Sequence, residues 1–274
     1  MPGPPPLGIR EFDLHQMMPG ANIVVIGPKF SGKSNLIMSI LLHMSRHWFD
    51  GKGFDYAMAM SATENNAQEF RQHMPEILVE QLSKTRLSAV LAGVQEQYGK
   101  DMTDNRPFRH SLLLLDDCAY DETFMKSKEI KDIASNGRQY NVTAIIAAQR
   151  YVQMPTALRD NVDFVFLFYI VKAPVKKALY SEWFSHMPPD VFTRIYEEVT
   201  KEFACIVLDR RRMQALREWR ESVFWFKAPL ALTLPPFQVV SQDMQEVCKY
   251  CTMTGQPGAS NSGVVKLSRS GDVL

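Results

Sequence analysis

Residues 27–34 read Gly-Pro-Lys-Phe-Ser-Gly-Lys-Ser and fit the pattern G-x-x-x-x-G-K-[ST] without a gap. In this pattern the glycines let the backbone curl until consecutive N–H groups converge on an anion, and the following helix adds its positive dipole end. Lys33 can reach the β- and γ-phosphates of a nucleotide, and the Ser34 hydroxyl can bind Mg²⁺. The stretch therefore predicts a phosphate-binding loop. Its predicted nucleotide-contacting residues are Gly27, Pro28, Lys29, Phe30, Ser31, Gly32, Lys33, Ser34 and Asn35.

The sequence around this loop alternates between apolar strand patterns and helix-length segments. Residues 21–26 form a short β-branched run, typical of a strand buried on both faces, and residues 33–45 carry apolar side chains at helical spacing. Strands separated by helices predict an α/β fold with a mostly parallel sheet covered on both faces. Further strands are predicted at 54–60, 111–115, 142–148, 164–171, 203–208 and 222–226. Further helices are predicted at 65–73, 75–98, 126–135, 174–184 and 189–199.

The composition is that of a folded globular chain: of 274 residues, 46% are hydrophobic and 22% charged. Thirty-one Lys and Arg against 30 Asp and Glu give a net charge of +1, so a nucleic-acid contact requires a local basic patch. The longest apolar run, residues 164–171, is far short of the roughly 18 residues of a membrane span. Four cysteines are too few for a disulfide framework. Membrane, secreted and fibrous proteins are therefore not expected.

Both ends of the chain differ in composition from the middle. The first eight residues are rich in Pro and Gly, and the last twenty are rich in Gly and Ser with little apolar content. Such segments bury too little to offset the entropy of ordering them. We expect an N-terminal arm at 1–18, a nucleotide-binding domain at 19–240 and a largely flexible tail at 241–274.

A second predicted strand end carries two adjacent carboxylates, in the stretch Ser111-Leu-Leu-Leu-Leu-Asp116-Asp117. Adjacent residues at a strand end point in different directions, so Asp116 can hold Mg²⁺ while Asp117 faces an attacking water as general base. An acidic turn, extended by Asp121 and Glu122, is the alternative. A third strand, 142–148, is followed by Gln149, whose amide can contact both the γ-phosphate and the water.

Together these elements resemble the FtsK–HerA superfamily of DNA-pumping ATPases and, within it, the poxvirus-type genome-packaging ATPases of nucleocytoplasmic large DNA viruses. The most specific part is residues 136–149, where Asn-Gly-Arg-Gln-Tyr-Asn-Val-Thr leads into the Gln149 strand. The resemblance implies a RecA-like sheet with an extra strand between the phosphate loop and the tandem acids. It also implies a ring of identical subunits that hydrolyses ATP at their interfaces. Cellular members often have Glu at the position of Asp117, so Glu122 is the fallback base.

Such rings complete the site with an arginine from the neighbouring subunit. Arg138 is the first candidate for it, followed by Arg150 and Arg159; a surface ion pair is the alternative for each. The densest basic cluster is Arg210, Arg211, Arg212, Arg217 and Arg220. It is expected to contact DNA phosphates without reading bases, unless it contacts a neighbouring subunit or solvent.

The remaining metal-ligand residues predict no metal site. Cys248-Lys-Tyr-Cys251 is a lone C-x-x-C without a second ligand pair, which favours two reduced thiols. The six histidines are scattered along the chain and indicate no metal-ligand spacing.

The resulting prediction is a Mg²⁺-dependent ATPase that translocates double-stranded DNA into a viral capsid. Its expected partners are double-stranded DNA, further copies of the chain in a ring of five or six, and capsid or portal-vertex proteins. It is expected in the host cytoplasm at viral assembly sites, or associated with the virion. A cellular-type DNA pump, a small-molecule phosphotransferase and a nucleotide-gated structural protein are the alternatives.

Overall fold

The computed structural model of the protein describes residues 8–118, 121–149, 151, 154–216 and 218–254. Within these residues eight strands form a single sheet in the order β3-β2-β4-β5-β1-β6-β7-β8. The strands are β1 (Asn22–Ile26), β2 (Tyr56–Ser61), β3 (Val79–Gln81), β4 (Ser111–Asp116), β5 (Val142–Ala148), β6 (Phe164–Leu167), β7 (Cys205–Asp209) and β8 (Val223–Phe226).

Helices connect the strands and cover both faces of the sheet. They are α1 (Lys33–His47), α2 (Glu64–Arg71), α3 (Lys84–Thr103), α4 (Glu122–Met125), α5 (Lys128–Asn136), α6 (Thr156–Asp160), α7 (Ala173–Leu179), α8 (Pro189–Val199), α9 (Arg210–Leu216), α10 (Trp219–Ser222) and α11 (Gln242–Thr254). No helix in the described part of the chain is long and apolar enough to cross a membrane.

The first six strands run parallel, and β7 and β8 are antiparallel to their neighbours. Every residue of β1, β4 and β5 is buried, because these central strands are covered by helices on both faces. We call the side of the sheet where the parallel strands end the carboxyl edge, and the opposite side the amino edge. The predicted α/β fold is confirmed, and β5 is the strand inserted between β1 and β4.

Two predicted elements differ from the structure. The helix predicted over 75–98 is replaced by the edge strand β3, which pairs with β2, and by α3, which begins at Lys84. Ser83 caps α3 by accepting from the Arg86 backbone N–H at 3.2 Å, which separates the two elements. The strand predicted over 164–171 ends at Leu167, and the Phe168 carbonyl beyond it accepts a hydrogen bond from the Tyr196 hydroxyl of α8.

Both predicted domain boundaries cut through packed structure. Residues 242–254, expected in a largely flexible tail, form α11, and this part of the prediction is wrong. Met244, Cys248 and Cys251 recur on one helical face and are buried, a periodicity that overall composition does not reveal. In the N-terminal arm, the Phe12 ring packs edge-on against three aromatic rings of the sheet. Residues 1–7 and 255–274 of the predicted arm and tail lie outside the described residues.

Candidate nucleotide site

Three predicted site elements meet at the carboxyl edge, on neighbouring strands. The Gly27 N–H donates to the Ala148 carbonyl at 3.2 Å, and the Asp117 N–H donates to the Ala147 carbonyl at 3.2 Å. The phosphate loop, the tandem carboxylates and Gln149 therefore follow β1, β4 and β5 at nearly the same level. Because neighbouring strands lie about 4.8 Å apart, the loop and the carboxylates are separated by roughly two strand spacings. This is the edge at which parallel sheets bind ligands.

The loop conformation requires glycine at two positions. Gly32 caps the N-terminus of α1 with φ of 101°, in the left-handed region that side chains disfavour. A Cβ on Gly27 would lie 2.5 Å from Ser31 Oγ and 2.8 Å from Phe168 Cβ, both closer than real contacts allow. The two glycines therefore let the loop turn tightly between β1 and α1, as the sequence pattern predicts.

Lys33 spans the loop from the inside. Its Nζ donates to the carbonyls of Gly27 and Pro28, each at 3.0 Å. Burial lowers the pKa of the Lys33 ammonium, and the carboxylates of Asp117 and Asp116 partly oppose that shift. A cation held by carbonyls and facing two carboxylates is positioned to meet phosphate oxygens.

Asp116 is buried and held by a residue that sequence reasoning missed. Asn66 of α2 donates its Nδ2 to Asp116 Oδ2 at 2.6 Å. Burial, followed by the neighbouring Asp117 carboxylate, raises the pKa of Asp116 to about 6, while the Asn66 hydrogen bond and Lys33 act in the opposite direction. Asn66 follows β2, the strand next to β4. No local pattern in the sequence marks Asn66, because it lies within α2 and not directly at the end of the strand.

Asp117 has a different environment from Asp116. Its φ of 51° turns the backbone into the left-handed region, so its carboxylate leaves the line of the strand. Its Oδ2 accepts from Gln149 Nε2 at 3.1 Å, whereas its buried Oδ1 has no hydrogen-bond partner among the described residues. Glu122, the fallback base, is exposed and pairs with Lys126. The two aspartates therefore differ in their hydrogen bonds: Asp116 is held by Asn66, and Asp117 by Gln149.

Oxygen atoms that suit a Mg²⁺ ion lie around the phosphate loop. The Ser31 hydroxyl and Asp117 Oδ1 are both buried, and neither finds a partner within the part of the chain that the structure describes. Carboxylate and hydroxyl oxygens are the ligands that Mg²⁺ prefers. Ser34 lies in the first turn of α1, and with Asp116 it would hold the ion; Lys33 and the loop N–H groups would hold the phosphates.

The other predicted loop contacts occupy different positions. Lys29 and Phe30 are exposed at the tip of the loop, Phe30 by 94%. Asn35 Oδ1 accepts from the Ala231 N–H at 3.0 Å, so this side chain holds the segment after β8 against α1. Its predicted nucleotide contact remains a prediction, as do those of Lys29 and Phe30.

The candidate arginine fingers lie away from the loop of their own subunit. Arg138 precedes β5 and donates to Asp163 Oδ1 at 2.5 Å, immediately before β6, which places it at the amino edge. Arg159 pairs with Glu182 near the same edge. Arg150 lies outside the described residues. Neither described arginine can therefore serve the site of its own chain.

The basic cluster at 210–212 is anchored at the amino edge as well, because β7 is antiparallel and ends there. Arg210 donates to the carbonyls of residues 159, 160 and 162, at 2.8, 2.8 and 3.3 Å. Arg211 and Arg212 both pair with the buried Asp209. Arg220 is more exposed and pairs with Glu218, and Arg217 is outside the described residues. The predicted DNA contact of these arginines remains a prediction.

The sheet order and the loop define the class: a P-loop NTPase fold of the RecA type. A family model described as "Poxvirus A32 protein" matches residues 10–186, more than half of the chain, and the chain belongs to that family. The family resemblance seen in the sequence is confirmed.

The chain also resembles viral proteins in sequence and solved ATPase structures in fold. Protein 015R of Frog virus 3 (isolate Goorha) is 28% identical over 86% of this chain and 70% of its own length. Protein 075L of Invertebrate iridescent virus 6 is 27% identical over 88% of this chain and 90% of its own length. B204, the DNA-packaging ATPase from Sulfolobus Turreted Icosahedral Virus, superimposes with a TM-score of 0.53 at 15% identity, over 78% of this chain and all of B204. ATPases 2 and 3 of EssC from Geobacillus thermodenitrificans superimpose with a TM-score of 0.54 at 13% identity, over 85% of this chain and 43% of the EssC chain. At these identities the two structures support the fold alone.

Proposed function

We propose that this protein is a Mg²⁺-dependent ATPase that drives double-stranded viral DNA into a capsid. The observation that carries the proposal is the meeting of three functional groups on adjacent strand ends. They are the Lys33 loop, the Asp116–Asp117 pair and Gln149. Membership of the A32 family and the shared fold with a DNA-packaging ATPase support the same function.

The chemistry follows from the two carboxylate environments. Asp117 has one oxygen fixed by Gln149 and one without a partner, so the free oxygen can accept a proton from an attacking water. Lys33 stabilises charge on the transferring phosphoryl group. An ion held by Ser34 and Asp116 would neutralise charge on the β- and γ-phosphate oxygens. Gln149 couples the base to the nucleotide, because an amide that bonds both can report whether the γ-phosphate is present.

Exposed apolar side chains around the site support an oligomer. Phe30 is at the loop tip, Phe203 lies beside Gly32, and Leu230 and Leu232 flank the residue that bonds Asn35. Such patches mark contacts between chains. A ring that packs the amino edge of one subunit against the carboxyl edge of the next would bring Arg138 towards a neighbour's nucleotide.

The same ring gives the basic cluster its role. In this proposal Arg210–Arg212 lie near the pore and contact DNA phosphates, with Arg212 and Arg220 contributing the more exposed guanidinium groups. Docking on capsid or portal-vertex proteins at cytoplasmic assembly sites, or in the virion, completes the proposal.

The test is ATP hydrolysis with and without long duplex DNA, together with the solution mass in the presence of nucleotide. We expect DNA-stimulated phosphate release by an oligomer, its loss in Lys33→Ala, and its retention in Lys52→Ala, a matched change at an exposed lysine outside the loop. Phosphate release that DNA leaves unchanged would contradict a DNA motor, and absence of release under every condition would contradict an ATPase.

A further inference from the structure

Three of the six histidines lie together in the structure, although His15 is distant in sequence from the other two. His15 lies in a short 3₁₀ helix, Leu14–Gln16, and His43 and His47 lie in the second half of α1. The ring centroids are 4.5 Å apart for His15 and His43, 4.7 Å for His15 and His47, and 4.8 Å for His43 and His47. One nitrogen from each ring lies within 4.8 Å of the other two.

His43 and His47 have a sequence spacing that allows both side chains to bind one metal ion. His43 and His47 are four residues apart in a helix, so their side chains share a face. The prediction that the histidines are scattered is wrong for His15, His43 and His47. The third member, His15, comes from the N-terminal arm, and only the tertiary fold brings it to α1.

The buried member of the cluster, His43, has a ring nitrogen that is free to bind a metal. His43 is buried, and its Nε2 has no hydrogen-bond partner among the residues that the structure describes. This unpartnered nitrogen is available to a metal ion, because imidazole nitrogens are common metal ligands.

An acidic side chain orients the third imidazole. Asp13 Oδ1 lies 2.8 Å from His15 Nδ1 and also accepts from the His15 backbone N–H at 3.0 Å. With Nδ1 engaged by the carboxylate, Nε2 of His15 remains for a metal. Carboxylates placed in this way behind a ligating histidine fix its tautomer and raise its basicity.

We propose that His15, His43 and His47 form a binding site for a zinc-like divalent transition metal, with a fourth coordination position open to solvent. Imidazole nitrogens select such metals over Mg²⁺, which prefers oxygen ligands, so this site is chemically distinct from the nucleotide site. Tetrahedral coordination needs nitrogens about 3.3 Å apart, given metal–nitrogen bonds of about 2.0–2.1 Å. His15 and His47 are exposed and can make that adjustment by side-chain rotation.

A metal ion at this position would connect the N-terminal arm to α1. His43 is ten residues beyond Lys33 on α1, which is roughly 15 Å along the helix axis. The ion would lie near the C-terminus of α1, where the helix dipole favours a cation. By joining His15 to α1, it would fasten the N-terminal arm to the helix that begins at the phosphate loop.

The experiment uses the full chain after removal of metal with a chelator. Zn²⁺ content is measured by mass spectrometry after dialysis at micromolar free zinc, and Co²⁺ is titrated as a spectroscopic probe. We expect about one ion per chain, visible Co²⁺ bands of tetrahedral geometry without a sulfur charge-transfer band, and a Zn²⁺-dependent rise in Tm. His47→Ala and His15→Ala should each reduce affinity at least tenfold, and Asp13→Asn should reduce it about 10–100-fold.

Two control variants distinguish this site from other ligands. His186→Gln changes an exposed histidine elsewhere, and Cys251→Ser removes one thiol of the buried pair on α11; both should bind metal as the wild type does. Because His15 and His47 are exposed, their alanine variants should keep the wild-type circular dichroism. Absence of binding, equal binding in His47→Ala, or loss of binding in Cys251→Ser would overturn the proposal.

Discussion

Gln149 Nε2 donates a hydrogen bond to Asp117 Oδ2 at 3.1 Å, and this contact joins the ends of two neighbouring parallel strands. The hydrogen bond fixes one carboxylate oxygen and leaves the other, Oδ1, buried and without a partner in the described chain. The two residues therefore act as one unit, in which the amide holds the carboxylate at a defined angle. Any movement of Gln149 towards a bound nucleotide would release or redirect the carboxylate that we propose as the base.

Asp117→Asn tests this unit. We expect kcat for ATP hydrolysis to fall about 10²–10⁴-fold, because the amide cannot accept the proton of water, while nucleotide affinity changes little. Steady-state phosphate release and equilibrium binding of a fluorescent nucleotide measure the two quantities. Glu122→Gln is the matched control, since Glu122 is exposed and pairs with Lys126. A larger loss in Glu122→Gln than in Asp117→Asn would move the base to Glu122.

Asn66→Ala tests whether Asp116 is held in place from α2. Without the 2.6 Å hydrogen bond the carboxylate loses its only described side-chain donor, so the Mg²⁺ concentration for half-maximal hydrolysis should rise about 10–100-fold. A Mg²⁺ titration of initial rates measures this shift. Asn65→Ala, on the exposed side of the same helix, is the control and should match the wild type. Equal Mg²⁺ requirements in the two variants would show that Asn66 has no part in positioning Asp116.

The residues that could be predicted from sequence are those with a local signal. The phosphate loop, the tandem acids and Gln149 each follow an apolar run, and parallel strands bring the ends of such runs to one edge. Asn66 and His15 have no such signal, because each acquires its partner from an element distant in the chain. For Arg138 the sequence leaves an arginine finger and a surface ion pair open, and only the fold shows that Arg138 pairs with Asp163 and that Arg210 donates to backbone carbonyls.

Asp116→Asn should stabilise the nucleotide-free protein at neutral pH. Folding raises the pKa of Asp116 from 3.8 to about 6, so the folded state binds the proton more tightly than the unfolded state does. Below pH 4 both states are protonated and carry no penalty; as pH rises through 6 the buried carboxylate ionises and stability is lost. We expect the variant to gain about 1–3 kcal/mol at pH 7.5 and little at pH 4, while losing hydrolysis.

Urea unfolding at both pH values, with a chelator and without nucleotide, measures this difference. The asparagine keeps an oxygen that can accept from Asn66, so the change removes charge without removing the hydrogen bond. A variant that is less stable at pH 7.5, or a difference that does not depend on pH, would show that the ionised carboxylate is not penalised by burial.

Arg138 has a structural task that must be separated from a catalytic one. Asp163 is buried, and its two oxygens accept from Arg138 and from the Asn22 N–H at 2.8 Å. Arg138→Ala should therefore destabilise the subunit by about 1 kcal/mol, because it leaves a buried carboxylate with one partner. Adding Asp163→Asn removes the unpaired charge, so the double variant should recover the wild-type free energy of unfolding.

We expect ATP hydrolysis by the double variant not to recover together with its stability. If Arg138 reaches a neighbour's nucleotide, the double variant stays slow, by about 10³-fold or more, although its fold is restored. Rings mixed from this variant and Lys33→Ala subunits should regain part of the activity, because some interfaces then combine an intact loop with an intact arginine. If the double variant, without any mixing of subunits, regains both stability and ATP hydrolysis, the Arg138 charge is not needed at an interface. The role of Arg138 would then be to hold Asp163 in place.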